Sequence, residues 1–93
     1  METSRKQNAK VVVYTLKYCS YCSATKDLLK RKGIVFKEID FGGDDVLRAK
    51  IAELSGRQTA PQVFVNDKAI GGYEDVKNLE ASGELDKLIY GIG

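Results

Sequence analysis

The chain has no histidine, one proline and two cysteines among its 93 residues. Without an imidazole there is no cysteine–histidine nucleophile, no Ser-His-Asp triad and none of the common zinc sites. A thiol that needs activating must draw on backbone dipoles, lysines or arginines. Two cysteines in one short motif leave none for the framework of a disulfide-stapled secreted domain. A reducing compartment fits, so a cytoplasmic location is expected, or an organelle if a transit peptide was removed. No run is long and apolar enough to span a membrane, and no membrane partner is expected. The net charge is only +2, and the basic residues are spread along the chain, which does not suggest nucleic-acid binding. The largest basic cluster, Lys30-Arg31-Lys32, ends a helical pattern and there opposes the negative end of the helix dipole. The polar first ten residues lack the apolar core of a secretory signal. The expected organisation is a flexible tail over 1–9 and one domain over 10–93, long enough for a modest core and too short for a second.

What is present alternates between strand and helix signals. The run 11–16 is continuously apolar and β-branched, which suits a strand buried on both faces. A helix is expected over 20–32, with Cys22, Thr25, Leu28 and Leu29 at helical spacing and Gly33 as its stop. A second strand follows over 34–40, and a helix capped near Asp44 runs to about Ser55 with Leu47, Ile51 and Leu54 as its stripe. Strands over 62–66 and 68–71 flank Asn66-Asp67, residues that tolerate the positive φ of a tight hairpin. Helices over 73–81 and around Leu85, Leu88 and Ile89 close the chain. The first βαβ unit should cross over right-handedly and pair in parallel. The hairpin adds antiparallel strands, so the sheet is mixed and the class is α/β.

The chemistry lies in Cys19-Ser20-Tyr21-Cys22, at the junction of the first strand and first helix. Both thiols can fall on one helical turn, close enough for a disulfide. Cys19 comes first, at the helix N-terminus, where partial positive charge favours a thiolate. A thiolate attacks a disulfide sulfur to form a mixed disulfide, which a second thiol then displaces. Cys19 is the expected nucleophile, and Cys22, one turn inside, the resolving thiol. A helix terminus supplies about 0.3–2 kcal/mol, against about 1.36 kcal/mol for a tenfold change in acidity. Larger effects need hydrogen bonds from orphan backbone N–H groups, with Lys17 adding charge. Cys19 is therefore expected to titrate below a free thiol. A lone Cys-x-x-Cys can also be half a zinc site, but the other ligands are missing. Two inert buried cysteines are a further alternative, against which stand polar Ser20 and the junction position.

With Tyr18-Cys19-Ser20-Tyr21-Cys22, Thr59-Ala60-Pro61 and Gly71-Gly72-Tyr73-Glu74-Asp75 at these separations, the chain resembles a glutaredoxin from about Lys10 to Tyr90. The resemblance implies a thioredoxin-like fold, a four-stranded mixed sheet flanked by about four helices, and glutathione as thiol partner. It implies a cis bond before Pro61. That bond would turn the Ala60 backbone, in the loop beginning at Thr59, toward the cysteine unit of glutathione, to pair with it like an added strand. It places the γ-glutamyl group on Gly72, Tyr73, Glu74 and Asp75, where backbone N–H groups at a helix start hold the carboxylate and Asp75 meets the amino group. Lys17 matches the family lysine before the active-site loop, Arg48 a residue facing the glycyl carboxylate, and Tyr21 an aromatic flanking the peptide. Plainer readings stand beside these. Pro61 could simply open an edge strand, Gly71 and Gly72 could shape a strand exit, and Lys17 and Arg48 could be solvated charges. Three departures are visible. Ser20 replaces a common proline, Ala60 a common valine, and Tyr73 a cysteine found in many members, so a third redox cysteine is absent and Tyr73 narrows the γ-glutamyl end.

The implied function is a glutathione-dependent thiol–disulfide oxidoreductase, monomeric, acting on glutathionylated or disulfide-containing proteins. The alternative is a homodimer bridged by a [2Fe–2S] cluster, whose four sulfur ligands would be Cys19 from each chain and two glutathiones. Ser20 in place of proline suits that alternative. A third possibility, a donor reduced by a flavoprotein reductase, sits poorly with the Gly-Gly-Tyr-Glu-Asp segment.

Overall fold

In the computed structural model, residues 7–91 are described. They form β1 (Val11–Thr15), α1 (Ser20–Arg31), β2 (Lys37–Asp40), α2 (Asp45–Ser55), β3 (Gln62–Val65), β4 (Lys68–Gly71), α3 (Tyr73–Ser82) and α4 (Glu84–Tyr90). The sheet order is β2-β1-β3-β4. β1 pairs in parallel with β2 and antiparallel with β3, and β3 pairs antiparallel with β4. This is the four-stranded mixed sheet with four helices expected of a thioredoxin-like α/β fold.

The apolar run of β1 explains the layering. Val11 and Val13 face one side and join Leu28 and Leu29 of α1, Val76 of α3, and Leu85 and Ile89 of α4. Val12 faces the other side, with Phe41, Ile51 of α2 and Phe64 of β3. Three helices thus cover one face and α2 the other. Full burial of a side chain such as Leu29 or Leu85 contributes about 1.5–3 kcal/mol each, and both are 0% exposed.

Several boundaries differ from the expectation, each for a physical reason. β2 begins at Lys37 rather than residue 34, because the Ile34 N–H is taken by the Leu29 carbonyl (3.0 Å), closing the end of α1. Leu54 and Leu88 are 53% and 42% exposed, outside the stripes that Ile51 and Leu85–Ile89 bury. Of the tail expected over 1–9, the first six residues lie outside the described ones. The last three are tied down. The Gln7 side chain bonds to both backbone groups of Val35, Asn8 and Ala9 donate to the Ile89 carbonyl, and Ala9 is buried. The hairpin turn is as read, with Asn66 and Asp67 at φ 50° and 68°. No helix among the described residues is long and apolar enough to cross a membrane.

Candidate active site

After β1 the chain passes through Leu16, Lys17 and Tyr18 and enters α1 with Cys19 as its N-cap. Tyr18 is fully exposed and left-handed, at φ 57°. Cys19 is extended (φ −111°, ψ 107°), and its Sγ accepts a hydrogen bond from the Cys22 N–H at 3.1 Å. A serine or aspartate oxygen would fill that place in an ordinary cap. Here a sulfur stands at the first N–H groups of the helix and the positive end of its dipole, a setting that favours a thiolate over a thiol. Cys19 is partly exposed and Cys22 only 2% exposed. The two are joined as a disulfide with Cα atoms 5.2 Å apart. The helical turn expected from their spacing brings the pair together, the outer sulfur accessible and the inner one sheltered.

The loop between α2 and β3 lies against the disulfide. The Ala60–Pro61 bond is cis, as the resemblance implied, and the Ala60 carbonyl oxygen lies 3.8 Å from Cys19 Sγ. Fully buried Gln62 holds this loop. Its Nε2 donates to the Thr59 carbonyl at 3.0 Å and to Thr59 Oγ1 at 3.1 Å.

The β4–α3 turn supplies the far wall. Asp75, in the first turn of α3, accepts the Gly72 N–H at 3.0 Å and forms a two-pronged ion pair with Arg57 from the α2–β3 loop. The Arg57 guanidinium, aided by the Gly72 N–H, holds the Asp75 carboxyl below the usual carboxylate range. Tyr21 and Tyr73 stack with ring centroids 5.7 Å apart at 24°. Together with Arg57, Thr59, Ala60, Pro61, Gly72, Glu74 and Asp75, these two tyrosines line a cavity of about 330 Å³. A second cavity of about 470 Å³ is lined by both cysteines with Lys17, Lys26, Glu38 and Asp40. There Glu38 accepts from Lys26 at 3.0 Å and Thr15 Oγ1 at 2.9 Å, which together hold its carboxyl below the usual range.

Eight of the residues singled out from the sequence therefore meet at one groove: Tyr21, Thr59, Ala60, Pro61, Gly72, Tyr73, Glu74 and Asp75. Cys19 touches that groove through Ala60. Lys17 faces the other cavity. Arg48 lines neither of these cavities. It lies exposed on α2 beside Asp45, Ala49, Ala52 and Gln58, its guanidinium 5.9 Å from the centre of the Phe41 ring. Arg57 and Gln62 were missed. Their one sequence signal was adjacency to Thr59-Ala60-Pro61. Among the described residues no group of three Cys, Asp or Glu side chains is placed to hold a metal ion, so one chain offers a cluster the accessible Cys19 and little else.

The arrangement suits thiol–disulfide exchange with a small, extended thiol-bearing ligand. The backbone of Ala60 offers strand-like pairing, the start of α3 offers N–H groups to a carboxylate, and Asp75 offers a partner to a cation.

A glutaredoxin family model matches residues 11–70. The chain is 43% identical to a glutaredoxin of Pseudomonas aeruginosa over 79 residues, covering 85% of this chain and 94% of the relative. It is 41% identical to glutaredoxin 3 of Escherichia coli over 81 residues, covering 87% and 98%. Among solved structures, the buckwheat glutaredoxin–glutathione complex matches with a TM-score of 0.81 at 30% identity, covering 87% of this chain and 76% of that one. The solution structure of a Brucella melitensis glutaredoxin matches with a TM-score of 0.77 at 44% identity, covering 90% and 92%.

Proposed function

This chain belongs to the glutaredoxin family, and from that premise we propose how its residues divide the work of a glutathione-dependent thiol–disulfide oxidoreductase. The observation that carries the reading is the accessible sulfur of Cys19, capped by the Cys22 N–H and set beside the cis Ala60–Pro61 loop.

Reduced Cys19, as thiolate, attacks the glutathione sulfur of a protein–glutathione mixed disulfide. A Cys19–glutathione disulfide forms, and the client sulfur leaves as a thiolate that takes a proton from solvent. A second glutathione thiolate attacks the bound glutathione sulfur, which releases oxidised glutathione and returns Cys19 as an anion under the helix N–H groups. With a protein disulfide as client, the Cys19 thiolate attacks one client sulfur, which breaks the client S–S bond and frees the other client sulfur as a thiolate that takes a proton from solvent. Cys22 then loses its proton and attacks Cys19 Sγ, which expels the first client sulfur as a thiolate and leaves the Cys19–Cys22 disulfide seen here, to be reduced in turn by two glutathiones. This is the dithiol route, and Cys22 is needed for it alone.

The groove lined by Tyr21, Thr59, Ala60 and Pro61 takes the peptide of glutathione, paired to the Ala60 backbone. Its γ-glutamyl end lies at Gly72, Tyr73, Glu74 and Asp75, its carboxylate on the first N–H groups of α3 and its ammonium toward Asp75. Lys17, on the other side of Cys19, adds positive charge near the sulfur.

Deglutathionylation by single-cysteine variants tests the division of labour. Cys19→Ser should abolish turnover of a glutathionylated protein, while Cys22→Ser keeps most of it and loses reduction of protein disulfides. Activity persisting in Cys19→Ser would overturn the assignment. The cluster-bridged dimer would need Cys19 from two chains and two glutathiones. Anaerobic reconstitution followed by visible absorption and sizing tests it, and a colourless monomer rejects it.

A further inference from the structure

The groove carries a cation of its own. Both oxygens of Asp75 are taken by Arg57, Oδ2 by Nη1 and Oδ1 by Nη2 at 3.4 Å. Arg57 is not needed to place that carboxylate. Asp75 Oδ2 also accepts the Gly72 N–H at 3.0 Å, and the carboxylate packs against Gly71, where any Cβ would run into it. Arg57 is itself anchored by its backbone, whose N–H and carbonyl are both bonded to Ser55 Oγ, at 3.1 and 3.0 Å. Its side chain is half-exposed (49%) and lines the same groove. So a carboxylate already fixed by two other features is neutralised by a guanidinium that reaches across from a separate loop. A ligand ammonium arriving at Asp75 meets this cation and must compete with it for the carboxylate. A ligand without an ammonium meets a carboxylate whose charge is already answered.

We propose that Arg57 is a specificity-determining residue, a built-in counter-ion at Asp75 that relaxes the demand for a free amino group on the thiol ligand. The protein then turns over γ-glutamyl-type thiols whose amino group is absent or blocked alongside glutathione. Removing Arg57 converts the groove to one selective for the ammonium. This rests on the reading that Asp75 faces the γ-glutamyl amino group.

The test compares glutathione with glutaryl-cysteinyl-glycine, which lacks only the α-amino group, in a disulfide-reduction assay of the full chain. Arg57→Gln should lower KM for glutathione and raise it for the analogue. The ratio of kcat/KM values then moves about three- to fivefold toward glutathione, the scale of one partly exposed charge pair. Arg57→Lys should stay near the wild-type ratio. In the Arg57→Gln/Asp75→Asn double variant the gain should vanish. An unchanged ratio in Arg57→Gln, or a higher KM for glutathione, refutes the proposal. If Asp75→Asn alone still shifts the ratio in that case, only the role of Arg57 falls. If the double variant keeps the gain, Asp75 does not read the ammonium and both ideas fall together.

Discussion

Gly71→Ala should be the most damaging one-carbon change in this protein. Gly71 ends β4 at φ +116°, a conformation L side chains rarely adopt, and an added Cβ would sit 2.5 Å from Asp75 Cβ and Cγ. Two costs follow. Holding a non-glycine residue in such a region costs about 1–3 kcal/mol. Pushing the Asp75 carboxylate aside breaks its bond from Gly72, worth about 1 kcal/mol here, since a bond to a charged group is worth more when buried and Asp75 is partly exposed. The sum is about 2–4 kcal/mol, or a fall in Tm of roughly 10–25 °C for a domain of this size. Two controls separate the costs. Gly56→Ala, at φ +75° with open space around its Cβ, isolates the backbone part, about 1–2 kcal/mol. Gly43→Ala, with open space and no positive φ, should melt with the wild type. Thermal unfolding by circular dichroism gives the Tm values, and the glutathione-coupled assay gives KM, which should rise in Gly71→Ala alone because only there is Asp75 displaced. If Gly71→Ala melts no lower than Gly56→Ala, or keeps its KM for glutathione, the tight contact between Gly71 and Asp75 is not what shapes this end of the groove.

Gln62→Leu removes the two bonds to Thr59 but also a buried Oε1 that has no protein partner among the described residues. Stability should change by less than about 1 kcal/mol, while KM for glutathione rises as the Thr59–Pro61 loop loosens; urea unfolding and steady-state kinetics on the same sample show the split. Asp75 and Glu38 have carboxyls lowered in the folded state by Arg57 and Lys26 respectively. In acid the unfolded chain binds more protons than the folded one, so their contribution is present above the ordinary carboxylate range, about pH 4, and is lost as pH falls through the lower native values. Urea titrations from pH 6 downward should show this loss, and Asp75→Asn should flatten it. Lys32 behaves in the opposite sense. Glu80 and Asp86 raise its pKa above the ordinary 10.5, so its contribution is present below that value and disappears as pH rises through the higher native one. Lys32→Met should cost about 1 kcal/mol near neutral pH, after allowing for solvent at the two partly exposed partners, and should blunt the alkaline loss in a pH-stepped unfolding series.

The fold was legible wherever a local signal and a tertiary need coincide. A continuous β-branched run at 11–16 fits a central strand because both faces of β1 do meet a core. Asp44 reads as a cap, and its Oδ1 does accept the Leu47 N–H at 2.9 Å. The misses arise where distant partners decide. Nothing near Ile34 announces that its N–H will close α1 through Leu29 instead of joining a strand. Helical spacing groups Leu54 with Ile51 and Leu88 with Leu85, yet the width of the covering surface decides which of them is buried.

The site divides along the same line. The placing of Cys19 follows from local facts, a helix start and a three-residue spacing, so its N-cap position and its pairing with Cys22 were legible in the sequence. A binding groove is different, because it is built where separate loops converge. Arg57 and Asp75 lie 18 residues apart, with a strand hairpin between them, and no periodicity links them. Only the antiparallel pairing of β3 with β4, which returns the chain to its starting end, sets the α2–β3 loop opposite the first turn of α3. Arg48 lines neither cavity and lies over the Phe41 ring, on the face that α2 covers. A cation in the chain could therefore be matched to an acidic groove by composition, but which cation reaches it is a property of the sheet. That makes the arginine nearest Thr59 in sequence, which lines the groove, the residue whose substitution should alter the choice between ligands with and without an ammonium.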